Sequence, residues 1–172
     1  MCIRDSIIAN GTVKQIHSIK TGGASLTETL TKETNQPFLE AELLKREYGL
    51  ALPAELIAPA EPTEAGVPPA APAPAQSGLS KEVNRIGTEI NNFLKRYERV
   101  YKESVPKVIL TGGNATLNGL ADEFRGIFGS EVVLANPFAK VAYPSFMEDT
   151  LKQVGPSFTV AIGVALREMN NS

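Results

Sequence analysis

An α/β fold is what this sequence predicts, and three observations carry that reading. Val108-Ile109-Leu110 and Val132-Val133-Leu134 are short apolar runs of the kind that form strands, the first expected to be covered on both faces. From Leu79 to Glu103, apolar residues recur at three- and four-residue steps, as on one face of a helix packed against a sheet. Between these elements, the run Lys107 to Leu110 stops at Gly112-Gly113, which reads as strand, tight turn and helix.

The chain has 172 residues, 42% hydrophobic and 21% charged, with a net charge of −2, enough for one moderate core or two small ones. No apolar run approaches the ~20 residues that span a bilayer, and the first residues lack a basic-then-apolar leader, so a cytoplasmic location is expected. The single cysteine, Cys2, excludes an internal disulfide framework and a cysteine zinc cage. Slight acidity, no basic stripe and no tryptophan argue against a nucleic-acid surface. The lone His17 lies in an alternating stretch and is expected to face solvent.

In chain order, Ile7-Ile8 and the Val13, Ile16, Ile19 stretch flank Asn10-Gly11, the pair favoured in type I′ hairpin turns. The first strand begins almost at Met1, which would leave an apolar edge open to another chain. Together with the leader-like Met-Cys-Ile-Arg-Asp-Ser, this creates the expectation that the natural protein starts upstream. Ser25 and Glu28 have the spacing of a capping box and predict a helix from about Leu26 to Glu33. Pro37 suits the first position of a second helix and Gly49 the residue just past its end, with Leu39, Leu43 and Leu44 as its buried stripe. Glu42 and Lys45, three apart, share a face with Cβ atoms roughly 5–6 Å apart; a surface ion pair and a functional polar clamp both fit that spacing.

Seven of the twelve prolines fall between Leu52 and Gln76, among alanines and without a lysine or arginine. An interior proline costs a helix about 3 kcal/mol, so this stretch is expected to be an extended spacer or a docking segment. Pro106 ends the long helix and leads into the central strand. After the glycine pair, Asn114 tolerates unusual backbone angles, Thr116 is the expected N-cap, and the helix near Phe128 ends at Gly129. Glu131 to Leu134 is the next strand, closed by Asn136-Pro137-Phe138. One helical turn near Phe146 to Gln153 precedes a last helix from Pro156 to Met169, with a small-residue face of Ala161, Gly163 and Ala165.

A glycine pair between strand and helix serves as plain chain reversal or as the floor of a nucleotide site, since a helix N-terminus beyond it offers free N–H groups. The sequence holds no Gly-x-x-x-x-Gly-Lys-Ser/Thr loop, no Gly-x-Ser-x-Gly elbow and no His-Glu-x-x-His, so hydrolase and metalloprotease readings have no support. Asp5 is followed by Ser and Ile rather than a glycine turn and is rejected as a phosphate or magnesium ligand.

Several motifs agree in order and spacing: the hairpin followed by Thr-Gly-Gly-Ala-Ser-Leu-Thr-Glu, then Phe-Leu-Glu-Ala-Glu-Leu-Leu-Lys-Arg-Glu-Tyr-Gly, Val-Ile-Leu-Thr-Gly-Gly-Asn-Ala-Thr-Leu-Asn-Gly-Leu, Asn-Pro-Phe and Pro-Ser-Phe-Thr-Val-Ala-Ile-Gly-Val-Ala-Leu-Arg. As a set they resemble the type IV pilus assembly PilM family, which is actin-like and similar to the cell-division protein FtsA. The resemblance implies the second ribonuclease-H-like half of an actin-like ATPase fold, a mixed sheet flanked by helices and truncated at the N-terminus. Residues 1–50 would start this half, 51–78 would be an Ala/Pro-rich insertion, and 79–172 would complete it with the adenosine loop. By family pattern Gly112, Gly113 and Asn114 match that loop, Asn114 standing where a third glycine is frequent, and Glu42 and Lys45 match the pair that reaches the adenosine.

The cofactor implied is ATP with Mg²⁺ in a complete protein, bound weakly or not at all by this chain, which lacks the family's phosphate-binding Asp-x-Gly strands. The implied role is a cytoplasmic scaffold, peripheral at the inner membrane and serving twitching motility. Its expected partners are a PilN-like membrane protein, met through the first half, the pilus motor ATPases, and a further copy of itself. Turnover, if any, is expected to be slow and regulatory. An FtsA-like protein, the C-terminal half of a sugar kinase, and a nucleotide-free interaction module built on the Ala/Pro segment are the other readings.

Overall fold

The computed structural model describes residues 3–53, 56–57 and 77–170. Most of the Ala/Pro stretch from Leu52 to Gln76, read above as spacer or docking segment, lies outside the described residues. The chain forms two compact units, residues 1–93 and 94–172.

The first unit opens with β1 (Ile3–Ala9) and β2 (Thr12–Ile19), paired antiparallel from Ile3↔Ile19 to Ala9↔Thr12. Asn10 and Gly11 both take positive φ, 53° and 71°, the backbone the expected type I′ turn demands. Two helices follow, α1 (Gly23–Thr34) and α2 (Phe38–Tyr48). The helix α1 starts three residues earlier than Ser25 and Glu28 suggested, with Gly22 at its cap and no side-chain capping bond. Instead its threonines turn inward along the helix: the hydroxyls of Thr27, Thr29, Thr31 and Thr34 each donate to the carbonyl four residues back.

Both ends of α2 lie within one residue of the positions Pro37 and Gly49 predicted, the Gly49 N–H donating to the Lys45 carbonyl at 3.0 Å. Of the expected stripe only Leu44 is half-buried. Leu39 and Leu43 are 73% and 58% exposed, while Ala41 and Lys45 are buried. A charged side chain goes inward in place of leucine because α1 offers it acceptors, as the site geometry below makes explicit.

The long helix α3 (Gly78–Tyr101) runs from the first unit into the second. Leu79, Val83, Ile86 and Ile90 are its buried stripe in the first unit, where Ile7, Ile19, Leu26 and Leu30 are also buried. Glu33 of α1 accepts the N–H groups of Gly78 and Leu79, placing a carboxylate on the positive end of the helix dipole. His17 does not simply face solvent: its Nδ1 lies 3.2 Å from Asp5 and its ring stacks on Phe93 at 5.1 Å. Burial raises the Asp5 carboxyl above its ordinary value, although His17 partly offsets this.

In the second unit Leu94 and Tyr97 continue the buried stripe, which stops there, since Val100 and Tyr101 are exposed. The strands β3 (Lys107–Leu110) and β4 (Glu131–Leu134) pair in parallel with Val108 opposite Val132. The expectation that β3 is covered on both faces fails at Ile109, which is 60% exposed. Among the described residues, parallel and antiparallel pairing are both present, in two separate two-stranded sheets. Between β3 and β4 comes α4 (Leu120–Phe128), ended by Gly129 at φ 66° as predicted.

The last helix, α5 (Glu148–Asn170), is continuous through Pro156 rather than starting there. Proline removes one N–H from the ladder, yet Gly155 before it lets the Asn136-Pro137-Phe138 turn press close: a Cβ at Gly155 would lie 3.3 Å from Pro137 Cδ. Gly155 and Pro156 are both buried, and Phe138 and Phe158 make a tilted ring pair at 6.4 Å.

Candidate functional site

Two polar arrangements answer to the residues singled out in the sequence, one in each unit. In the first unit, α2 lies on α1 through a buried cluster. Lys45 is 2% exposed, and its Nζ donates to Glu42 Oε2 at 2.6 Å, Thr27 Oγ1 at 2.8 Å and the Gly23 carbonyl at 3.2 Å. Thr27 also lies 2.5 Å from the same Glu42 oxygen, and Arg46 donates to the other carboxylate oxygen at 2.9 Å. An ammonium taken out of water must find acceptors, and here three converge on it. The Glu42–Lys45 pair is therefore not a surface ion pair. Lys45 is fully engaged, while Glu42 keeps a partly exposed side and an outer oxygen shared with Arg46.

Burial alone would push the Glu42 carboxyl up, but bonds from Lys45, Thr27 and Arg46 outweigh it and lower the group from 4.5 to about 2. A depressed carboxylate contributes stability that is full above the unfolded value and lost as pH falls through the folded one. The wild-type chain is accordingly expected to lose about 1–3 kcal/mol of stability between about pH 4.5 and pH 2 from this group. Urea unfolding at stepped pH measures it, and Glu42→Gln should flatten that segment of the profile. An unchanged slope in the variant would show that the acid response arises elsewhere.

In the second unit, β3 delivers the backbone to Thr111, Gly112 and Gly113. Only Gly112 needs to be glycine for its backbone, at φ 94°. Asn114 is not at positive φ among the described residues, and Thr116 does not cap a helix: its hydroxyl reaches the Gly113 carbonyl at 3.4 Å. Successive turns, closed by Ala115 N–H to Gly112 O and Leu117 N–H to Asn114 O, carry the chain to Gly119, and α4 begins three residues later than Thr116 implied. Ala115 and Leu117 are buried and anchor these turns, so packing decides where the helix starts.

What fixes the glycine turn is α5. The Pro156 carbonyl receives the Gly112 N–H at 2.8 Å, the Thr111 hydroxyl at 3.1 Å and the Thr159 hydroxyl at 3.0 Å. Sequence reading missed this residue as part of the site. The signal available was a Gly-Pro pair inside an otherwise helical pattern, which marks a place where something else meets the helix. The outer side of the turn is open: a Cβ at Gly112 would meet nothing within 4 Å, and one at Gly113 only Ser157 Oγ, at 3.9 Å. The backbone at the turn is therefore uncrowded on that side. Among the described residues no group of three His, Cys, Asp or Glu side chains is placed to hold a metal ion, so Mg²⁺ is not assigned to them. The pair Glu42/Lys45 belongs to the first unit and Gly112, Gly113 and Asn114 to the second.

The family model for the type IV pilus assembly protein PilM matches residues 77–169, more than half of the chain. No curated protein matches the sequence. Among solved structures, a PilM-PilN type IV pilus biogenesis complex is similar over 95% of this chain and 42% of its own, with 23% identity and a TM-score of 0.64. The ethanolamine utilization protein EutJ from Carboxydothermus hydrogenoformans is similar over 96% of this chain and 44% of its own, with 19% identity and a TM-score of 0.56. The chain thus spans less than half the length of either structure. These are likenesses of fold, and they agree with the ribonuclease-H-like, actin-like half expected from the motifs. No described helix is long and apolar enough to cross a membrane.

Proposed function

Because the chain belongs to the type IV pilus assembly protein PilM family, we propose that it is part of an ATP-binding scaffold for pilus assembly, peripheral at the inner membrane, whose nucleotide state controls docking to a PilN-like partner and to the pilus motor ATPases. The observation that carries the nucleotide part is the open glycine turn, held to α5 by the Gly112 N–H and the Thr111 hydroxyl on the Pro156 carbonyl and unobstructed on its outer side. A backbone turn stripped of side chains and braced from behind costs little to order when a flat nucleoside stacks on it. In this reading Gly112, Gly113 and Asn114 hold the adenosine end. Glu42 and Lys45 keep, as part of this proposal, the nucleotide-contacting role that the family pattern implies for them.

Bound ATP would supply differential affinity for a closed state, which is all a ligand needs to bias a scaffold. The likeness to a PilM-PilN complex supports a PilN-like occupant for the docking function. Thermodynamic linkage makes this testable, since a partner whose affinity depends on ATP must change the affinity for ATP by the same factor. Fluorescence titration of a labelled ATP analogue, with and without the cytoplasmic N-terminal peptide of the membrane partner, should give at least about a fivefold difference in Kd. Equal Kd values in the two titrations would overturn the nucleotide-controlled docking.

A further inference from the structure

Four hydroxyl side chains surround the glycine turn, and three are occupied by the protein itself. Thr111 and Thr159 donate to the Pro156 carbonyl, and Thr116 reaches the Gly113 carbonyl. Ser157 differs: it is exposed, and among the described residues its hydroxyl has no hydrogen-bond partner. A serine within a helix ordinarily bonds back to a carbonyl of the preceding turn, as Thr27 and Thr29 do in α1. Ser157 is aimed instead at the turn, its Oγ being the nearest atom to the place a Gly113 Cβ would take, at 3.9 Å.

The second observation is Gly113 itself. Its φ is not in the left-handed region, and no neighbouring atom lies closer than 3.9 Å to an added Cβ. Neither backbone strain nor packing within the chain requires glycine there, unlike Gly112 beside it. The absent side chain leaves a slot with the Gly113 backbone on one side and one unspent donor and acceptor on the other.

We propose that Ser157 is a further binding residue of the nucleotide site, hydrogen-bonding the nucleoside that lies over Gly113. This rests on the nucleotide reading given above. The buried Gly155-Pro156 pair fixes the position of Ser157 on α5, and the Pro156 carbonyl ties that same segment to the turn at Gly112. The hydroxyl is therefore held in register with the slot and needs no rearrangement to reach a ligand. Because a hydroxyl both donates and accepts, it suits either the base edge or a ribose hydroxyl.

The test is calorimetric titration of adenosine and of ATP into the protein carrying this chain, its Ser157→Ala and Ser157→Thr variants, and Gly113→Ala. Loss of one hydrogen bond to the ligand should weaken Ser157→Ala by about five- to tenfold, equally for adenosine and ATP. Ser157→Thr should recover most of that loss. Gly113→Ala should weaken binding at least as much while its thermal midpoint stays at the wild-type value, because the added methyl meets nothing closer than Ser157 Oγ at 3.9 Å, an ordinary van der Waals contact. Wild-type affinity in Ser157→Ala, with the parent binding both ligands, would overturn the role of Ser157 and leave the nucleotide reading standing. Absence of binding by the parent would overturn the nucleotide reading and this inference with it. Since alanine is a better helix former than serine and Ser157 is exposed, Ser157→Ala should fold normally, and a lowered thermal midpoint with unchanged affinity would assign it a structural role only.

Discussion

Glu42→Ala is expected to lower the unfolding free energy by about 3 kcal/mol, the largest loss of any charged-residue substitution in α2. The reason is Lys45 rather than Glu42. With its carboxylate partner gone, the Lys45 ammonium would remain 2% exposed with only the Thr27 hydroxyl and the Gly23 carbonyl as acceptors. Neither carries a formal charge to offset the lost hydration. The double variant Glu42→Ala, Lys45→Met should regain most of the stability, because a methionine of similar length refills the slot without a charge. Urea midpoints of the parent, the single and the double variant measure both effects. A single variant within about 0.5 kcal/mol of the parent would mean that Lys45 escapes to solvent, and that the α1–α2 contact does not depend on the cluster.

Gly112→Val combines a stability effect with a ligand effect. The φ of 94° at this position is one that a β-branched residue enters only with strain, at about 1–3 kcal/mol. A relaxed backbone would withdraw the Gly112 N–H from the Pro156 carbonyl, removing the main-chain member of the clamp between β3 and α5. The thermal midpoint should fall, and ATP affinity in the protein carrying the chain should drop by more than about tenfold, since the turn itself is the binding surface. This pattern differs from Gly113→Ala, where affinity alone is expected to fall. Unchanged affinity for ATP in Gly112→Val, with the midpoint lowered, would reduce the turn to chain reversal.

Elements whose ends depend on local chemistry were legible from the residues alone. Asn10-Gly11 gave the hairpin because two consecutive positive φ values are cheap only for such a pair. Gly49 and Gly129 closed their helices for the same reason, and the periodicity of α3 located its buried stripe as far as Tyr97. The glycine turn was visible, but its brace was not, since Pro156 lies 44 residues beyond Gly112 and reads in isolation as a helix start.

Errors concentrate where a neighbouring element supplied the partner. Ser25 and Glu28 had capping spacing, but α1 begins at Gly23, and Thr27 thereby comes into line with the Gly23 carbonyl and Lys45. Thr116 had N-cap chemistry, but burial of Ala115 and Leu117 holds the chain in turns until Gly119. The outward leucines of α2 are the sharpest case. Hydrophobic patterning assigns leucine to the inside because burying it is ordinarily favourable. On this helix three acceptors on one side made room for an ammonium, and geometry then forced Leu39 and Leu43 to the other.

By itself, then, the sequence determined the order of strands and helices, the hairpin turn, the helix ends at glycine and the motif set that carries family membership, because each depends on residues close along the chain or on their order. Tertiary structure alone decided which face of α2 is buried, that α5 runs through Pro156, and that Thr111, Gly112 and Thr159 meet at one carbonyl while Ser157 is left free beside Gly113. Those outcomes depend on acceptors contributed by distant segments, and a hydrogen bond between such segments leaves no periodicity for a sequence to display.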